Sequence, residues 1–280
     1  MIRDRGLGAT LWTTAVWAVV ALFVLNLLAV IATVVIDSLS TRWLGTWLPA
    51  GFTTHWYRDA WDEFQLSDVL LVTVEAVAAV VALSGLLGVT AAYGLARRDF
   101  PGKRAVTLVF LLPLLVPPMT YGIPMATLLY RVGLGGTLTG VVLANLVPAI
   151  PFVVLVMIPF IEQIDPRVEA AARVFGARTP QLFGRVLVPL LLPGVLAALL
   201  LVLVRTVAMF ELTFLTAGAD SQTLVVALYY AVFASGVRAG QEVDVMAVVY
   251  MVTTLVWLLL ALRFVNPTQI VARAKSQAVH

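Results

Sequence analysis

The sequence predicts an all-α membrane protein with six transmembrane helices, and three observations carry that reading. Of 280 residues, 61% are hydrophobic and only 12% are charged, against about 25% charged in a soluble domain. Mean hydropathy is +1.01. The apolar residues also fall in stretches long enough to cross about 30 Å of hydrocarbon, which takes about 20 helical residues. A water-soluble chain of this size could not hide so much apolar surface. The composition excludes a disordered or collagen-like chain. With no cysteine, a disulfide scaffold, a thiolate metal site and a thiol nucleophile are excluded too. A net charge of +3 is too small to indicate nucleic acid.

The first span runs from about Gly8 to Ile36, without a charge and too long for a cleaved signal peptide. The second runs from Val69 to Leu95, the third from Val106 to Tyr130 and the fourth from Leu138 to Ile161. The fifth covers Leu190 to about Leu215 and the sixth Val245 to Leu262. Thr223 to Ser235 is apolar but too short to cross, which predicts a re-entrant or interfacial helix. Pro117, Pro118 and Pro124 should bend span three and free carbonyls for a cavity.

Charge placement sets the orientation. With the N-terminus inside, one side collects Arg3, Arg5, Arg97, Arg98, Lys103, Arg104, Arg167, Arg173, Arg178, Arg185, Arg263, Arg273 and Lys275. These are 13 of the 18 basic residues. The other side holds Arg42, Arg58, Arg131 and Arg238, with the acids Asp37, Asp59, Asp62, Glu63, Asp68, Asp220, Glu242 and Asp244. The positive-inside rule therefore predicts both termini in the cytoplasm. The resulting organisation is a tail over 1–8, one transmembrane domain over 9–265 and a tail over 266–280. An external loop falls at 37–68. Its Trp43, Trp47, Trp56 and Trp61 suit an interfacial belt.

The polar connection at 162–189 carries helix punctuation. Asp165 can cap a helix beginning at Pro166, and Gly176 can end it in the left-handed region. Thr179–Pro180 repeats the start signal, and Pro189 and Pro193 mark the beginning of span five. A folded helix–turn–helix on the cytoplasmic face, rich in small residues, fits a protein partner.

This loop resembles a known signature. IDPRVEAAARVFGA at 164–177, followed by VLVP at 186–189, is similar to the EAA loop of membrane permease subunits of binding-protein-dependent ABC importers of the type I fold. With Gly176 aligned, the family glutamate falls on Ala170 and Glu169 lies one residue earlier; Val188 stands where leucine is usual. The resemblance covers roughly Trp56 to Asn266. RRDFPGKR at 97–104, LVPP at 115–118 and the run Gly140 to Pro151 support it.

The resemblance implies the type I permease fold, with cytoplasmic coupling helices between spans four and five. It implies that Glu169, Ala170, Ala171, Ala172, Arg173, Gly176 and Pro189 couple the chain to two copies of a cytoplasmic ABC ATPase. A second permease subunit, commonly a paralogue, and an extracytoplasmic solute-binding protein complete the expected assembly, in a bacterial inner membrane. The chain lacks the Gly-x-x-x-x-Gly-Lys-Ser/Thr phosphate loop. ATP and magnesium are therefore expected on the partner ATPases, with no cofactor, metal or catalytic residue on this chain.

Ionisable groups within spans are costly and mark candidate pathways. Glu75, Arg205 and Glu211 are such groups, with Thr120, Tyr121 and Asn145 as neutral polar candidates; each also has a purely structural reading. On one continuous helix Arg205 and Glu211 would stand about 240° apart and not meet. Met119, Met125, Met157, Met209 and Met246 read as packing. His55 and His280 fall on opposite sides of the membrane. Two acids facing a path would suit a polyamine, and HWYR at 55–58 and Phe210–Glu211 resemble the polyamine-type branch. Phe100 to Lys103 resembles carbohydrate permeases, and Arg205 suits an anionic or hydroxylated cargo. A proton-coupled carrier would explain the charges but leave the folded loop unexplained. A membrane hydrolase would need a nucleophile–base pair that the sequence does not show.

Overall fold

The computed structural model describes residues 7–43, 45–233 and 239–264. The tail from residue 265 onward, Arg3, Arg5, Ser235, Arg238, Arg273, Lys275 and His280 lie outside the described residues. The helices in chain order are α1 (Leu7–Ser38), α2 (His55–Glu63), α3 (Leu66–Arg97), α4 (Lys103–Leu115), α5 (Pro118–Arg131) and α6 (Leu138–Glu162). They continue with α7 (Pro166–Val174), α8 (Thr179–Leu182), α9 (Val188–Val207), α10 (Glu211–Thr216), α11 (Leu224–Phe233) and α12 (Gly240–Phe264). Two compact units divide the chain: the part up to Phe64 with Ala231–Val249, and Gln65–Tyr230 with the part from Tyr250.

In the first unit, α1 is exposed on every side from residue 12 to 33. The following loop is ordered by a bridge between Ser40 and Phe52. There Trp56 Nε1 donates to the Ser40 carbonyl at 2.8 Å, and Ser38 Oγ and Tyr57 Oη lie 2.9 Å apart. Trp47 is fully exposed. Glu242 and Asp244, expected in an external loop, sit instead in the opening turns of α12, because that helix begins five residues earlier than its apolar run.

The second unit is built around α6, which packs against α3, α4 and α9. Apolar burial gives little drive between helices in lipid, so close backbone approach matters more. The sequence of α3 supplies it. Ala76, Val80, Ser84, Gly88 and Ala92 recur every fourth residue and are all buried. A Cβ on Gly88 would lie 2.6 Å from Val153 Cβ and 3.2 Å from the Ile150 carbonyl oxygen. Above this seam α10 packs on α5 and α6.

Among the described residues five helices are long and apolar enough to cross a membrane, and a sixth crossing requires α4 and α5 together. Those two meet at 98°, so the expected span three is not one continuous helix. Val116 and Pro117 are extended (ψ 134° at both). Consecutive prolines push the preceding residue out of the α region and remove two amide donors. Pro124 sits inside α5 without ending it. Span five also ends early, at Val207, and α10 is a separate short helix. The short apolar segment forms α11, and its first amide, Leu224 N–H, donates to Thr73 Oγ1 on α3 at 2.9 Å.

Candidate functional site

Two places concentrate the chemistry of the second unit. The first is the elbow of α7 and α8. Asp165 caps α7 as its residue type demands, accepting from Arg167 N–H at 2.9 Å. Pro166 occupies the first turn, where its missing donor costs nothing. Gly176 ends the turn at φ +82°. The second start differs from expectation: Arg178 is the cap residue, and its amide donates to Gln181 Oε1 at 2.9 Å. The single turn of α8 then runs through a π-helical turn, Phe183–Leu187, directly into α9. The second elbow helix is therefore the first turn of a 29-residue helix, Thr179–Val207.

The two faces of α7 differ. Ala170, Ala171 and Arg173 are exposed, and the tip beyond them presents Val174 (85% exposed) and Phe175 (90%). Pro189 is exposed further along, at the start of α9. Ala172 turns inward onto the main core. Glu169 also turns inward and does not join its neighbours on the outer face. Its Oε1 accepts from Arg97 Nε at 2.7 Å and its Oε2 from Tyr93 Oη at 2.6 Å. Arg97 Nη2 donates to the Ile164 carbonyl at 2.7 Å. The physical reason is register. Glu169 and Ala172 are three apart and share a helix face, so the residue next to the alignment position of the family glutamate points the other way.

The second place is a polar cluster within the bundle. Asn145, buried on α6, donates to the Val141 carbonyl at 2.9 Å and to Thr213 Oγ1 at 3.2 Å. The Arg205 guanidinium stands 5.4 Å from the centroid of the Phe152 ring, a cation–π contact. Asn145, Pro148, Val202, Arg205, Thr206 and Met209 line a small cavity. Tyr121 packs on the small apolar group of Leu129, Ala144, Met209 and Leu212, and its hydroxyl is buried without a hydrogen-bond partner among the described residues. The break at Ala208–Phe210 removes Arg205 and Glu211 from a common helix, so the angular separation expected of them does not apply. Neither forms a salt bridge among the described residues. Phe210 and Phe214 stack at 5.1 Å and meet Tyr229 at 4.9 and 5.2 Å, giving this end of the cluster an aromatic wall.

Glu75 and Thr120 are not part of this cluster's hydrogen bonding; both are exposed, on α3 and α5. Sequence reasoning passed over Phe152, Thr213, Tyr93 and the inward role of Arg97. Nothing in the linear pattern marks Phe152 or Thr213. Tyr93 and Arg97 are one turn apart at the end of a span, a signal that could have been read as a side-chain pair facing the elbow.

The chain belongs to the binding-protein-dependent transport system inner membrane component family, whose model matches residues 84–271. It is thus the permease component of an ABC importer. It is 34% identical over 159 residues to the molybdenum transport system permease protein ModB of Haemophilus influenzae, covering 51% of this chain and 69% of that one. It is 30% identical over 160 residues to the trehalose transport system permease protein SugB of Mycobacterium tuberculosis, covering 57% and 58%. The match to the second relative thus spans little more than half of its length. In fold, the chain is similar to a bacterial ABC transporter involved in import of the acidic polysaccharide alginate. The TM-score is 0.72 at 18% identity, over 97% of this chain and 98% of that one.

Proposed function

We propose that this chain passes a small polar solute, handed over by an external binding protein, by alternating access driven by two copies of a separate cytoplasmic ATPase. A second permease subunit, most simply a paralogue, completes the path. The α7–α8 elbow faces the cytoplasm and docks on the ATPase through Ala170, Ala171, Arg173, Val174 and Phe175. ATP and magnesium belong to the partner. Both termini lie on the cytoplasmic side of the bacterial inner membrane, following the basic residues. Nucleotide biases a two-state bundle, which is what coupling requires.

For the solute, we favour a carbohydrate. The observation that carries this is Arg205, held beside Phe152 and without a salt bridge among the described residues. A fixed guanidinium in a desolvated path repels an oligocation, whereas it donates well to hydroxyl or anionic oxygens. The unpartnered Tyr121 hydroxyl adds a donor, and aromatic faces suit sugar rings. The polyamine expectation drawn from two acids gains nothing from Glu75, which is exposed on α3. It has no support in the relatives named above, one for molybdenum and one for trehalose. An oxyanion is the second reading, favoured by the same arginine. A thermal-shift screen of the cognate binding protein against sugars, molybdate, sulfate and polyamines tests the order. Stabilisation by sugars alone is expected; stabilisation by spermidine or putrescine alone would overturn it.

A further inference from the structure

The end of α3 holds three separate parts of the elbow at once. Arg97 grips the segment before α7 through the Ile164 carbonyl and α7 itself through Glu169, both at 2.7 Å. Tyr93, one turn earlier, engages the other carboxylate oxygen of Glu169 at 2.6 Å. The Tyr93 ring also meets Phe183, in the π turn that leads into α9, edge-on at 4.8 Å. Both Arg97 and Glu169 side chains are only 12% exposed. Charge-assisted bonds with both carboxylate oxygens engaged resist rotation and sliding far better than one exposed ion pair.

We propose that Tyr93, Arg97 and Glu169 form the tie that carries displacement of the elbow into α3 and α9. Glu169 is a positioning residue in this reading and does not contact the ATPase. The reasoning is mechanical. Helix α7 is flanked by a short turn at Ile164–Asp165 and by the left-handed Gly176, and both could absorb a displacement locally. The carboxylate junction sits on the inner face of α7, between those turns, and links it to α3, which packs against α6 and α9. A push on the exposed face of α7 therefore moves α3 only while this junction holds. The inference rests on the ABC permease reading of the chain.

The test uses the full complex with its cognate ATPase and partner permease. The cysteine-free sequence accepts two spin labels, at Asp68→Cys on α3 and Arg131→Cys at the end of α5, both exposed. Pulsed EPR reads the distance between them with and without ATP, magnesium and vanadate. The parent complex is expected to change its distance distribution on nucleotide binding. Glu169→Gln and Arg97→Met are expected to assemble and hydrolyse ATP, yet lose that change; allosteric coupling between two sites typically alters affinity about 5- to 150-fold. The exchanged pair Arg97→Glu with Glu169→Arg should recover part of it. A nucleotide-dependent change of full size in both single variants would overturn the tie. No change in the parent complex would overturn the permease reading and the tie with it.

Discussion

Asn145 on α6 donates to Thr213 on α10 at 3.2 Å, inside a part of the bundle where both residues are buried. The bond fixes α10 two residues beyond Glu211, and so fixes where that acid stands. An unsatisfied buried donor costs about 1–3 kcal/mol, while removing both partners together can be nearly neutral. Thr213→Val should therefore lower the melting temperature of the detergent-solubilised protein. Asn145→Leu combined with Thr213→Val should recover most of that loss. Tryptophan fluorescence melts of the three variants check this.

The two alanines at the centre of the elbow motif should behave differently. Ala171 is exposed, and Ala172 packs on the core. Ala171→Trp should leave the fold intact and weaken capture of the ATPase. Ala172→Trp should destabilise the protein itself, by about 1–3 kcal/mol or more, as overpacking does. Melting curves and ATPase pull-down on the same samples separate the two effects. Equal losses of stability would contradict the inward assignment of Ala172.

Phe175 is 90% exposed, so its ring contributes little to the fold of the isolated chain. Phe175→Asp should melt within about 0.5 kcal/mol of the parent, as surface changes do, and yet fail to retain the ATPase. Co-purification in detergent measures this. Undiminished retention would remove the tip from the docking surface.

Gly176 adopts φ +82° with open space where a side chain would stand. Its substitution thus tests backbone strain without a clash. An alanine in the left-handed region costs about 1–2 kcal/mol. Gly176→Ala should lower stability by that amount and reduce transport less than Phe175→Asp does. Measured melting and uptake by proteoliposomes give the comparison.

Arg205 provides the sharpest test of the cargo. Loss of a hydrogen bond to a charged group is worth about 1.5–3 kcal/mol, or about 10- to 100-fold. Arg205→Met should cut uptake of the sugar identified by the binding-protein screen by that factor. It should leave ATP hydrolysis by the complex in place. Unchanged sugar uptake would place Arg205 in a purely structural contact with Phe152.

Composition and spacing alone were sufficient for the membrane class and for the start and end of the first elbow helix; the second start fell on Arg178 instead. These follow from local rules. Hydrocarbon length selects runs such as Leu138 to Ile161, Asp165 caps because its side chain is short and accepting, and Gly176 ends a helix because it tolerates positive φ. The elbow motif also identified the family. Three things belonged to the tertiary structure. Helices α4 and α5 meet at 98°; adjacent prolines mark a break, but the angle across it belongs to the packing of each half, α4 on α6 and α5 on α10. Glu169 faces α3, since its direction depends on which side of α7 the bundle lies. Arg205 and Glu211 stand on separate helices, because the chain breaks at Ala208–Phe210, and no helical-wheel angle survives a break. Local sequence rules specify helices and their ends. Which faces meet is decided by long-range packing, and in this chain the polar cluster and the elbow tie are both made by residues far apart in sequence.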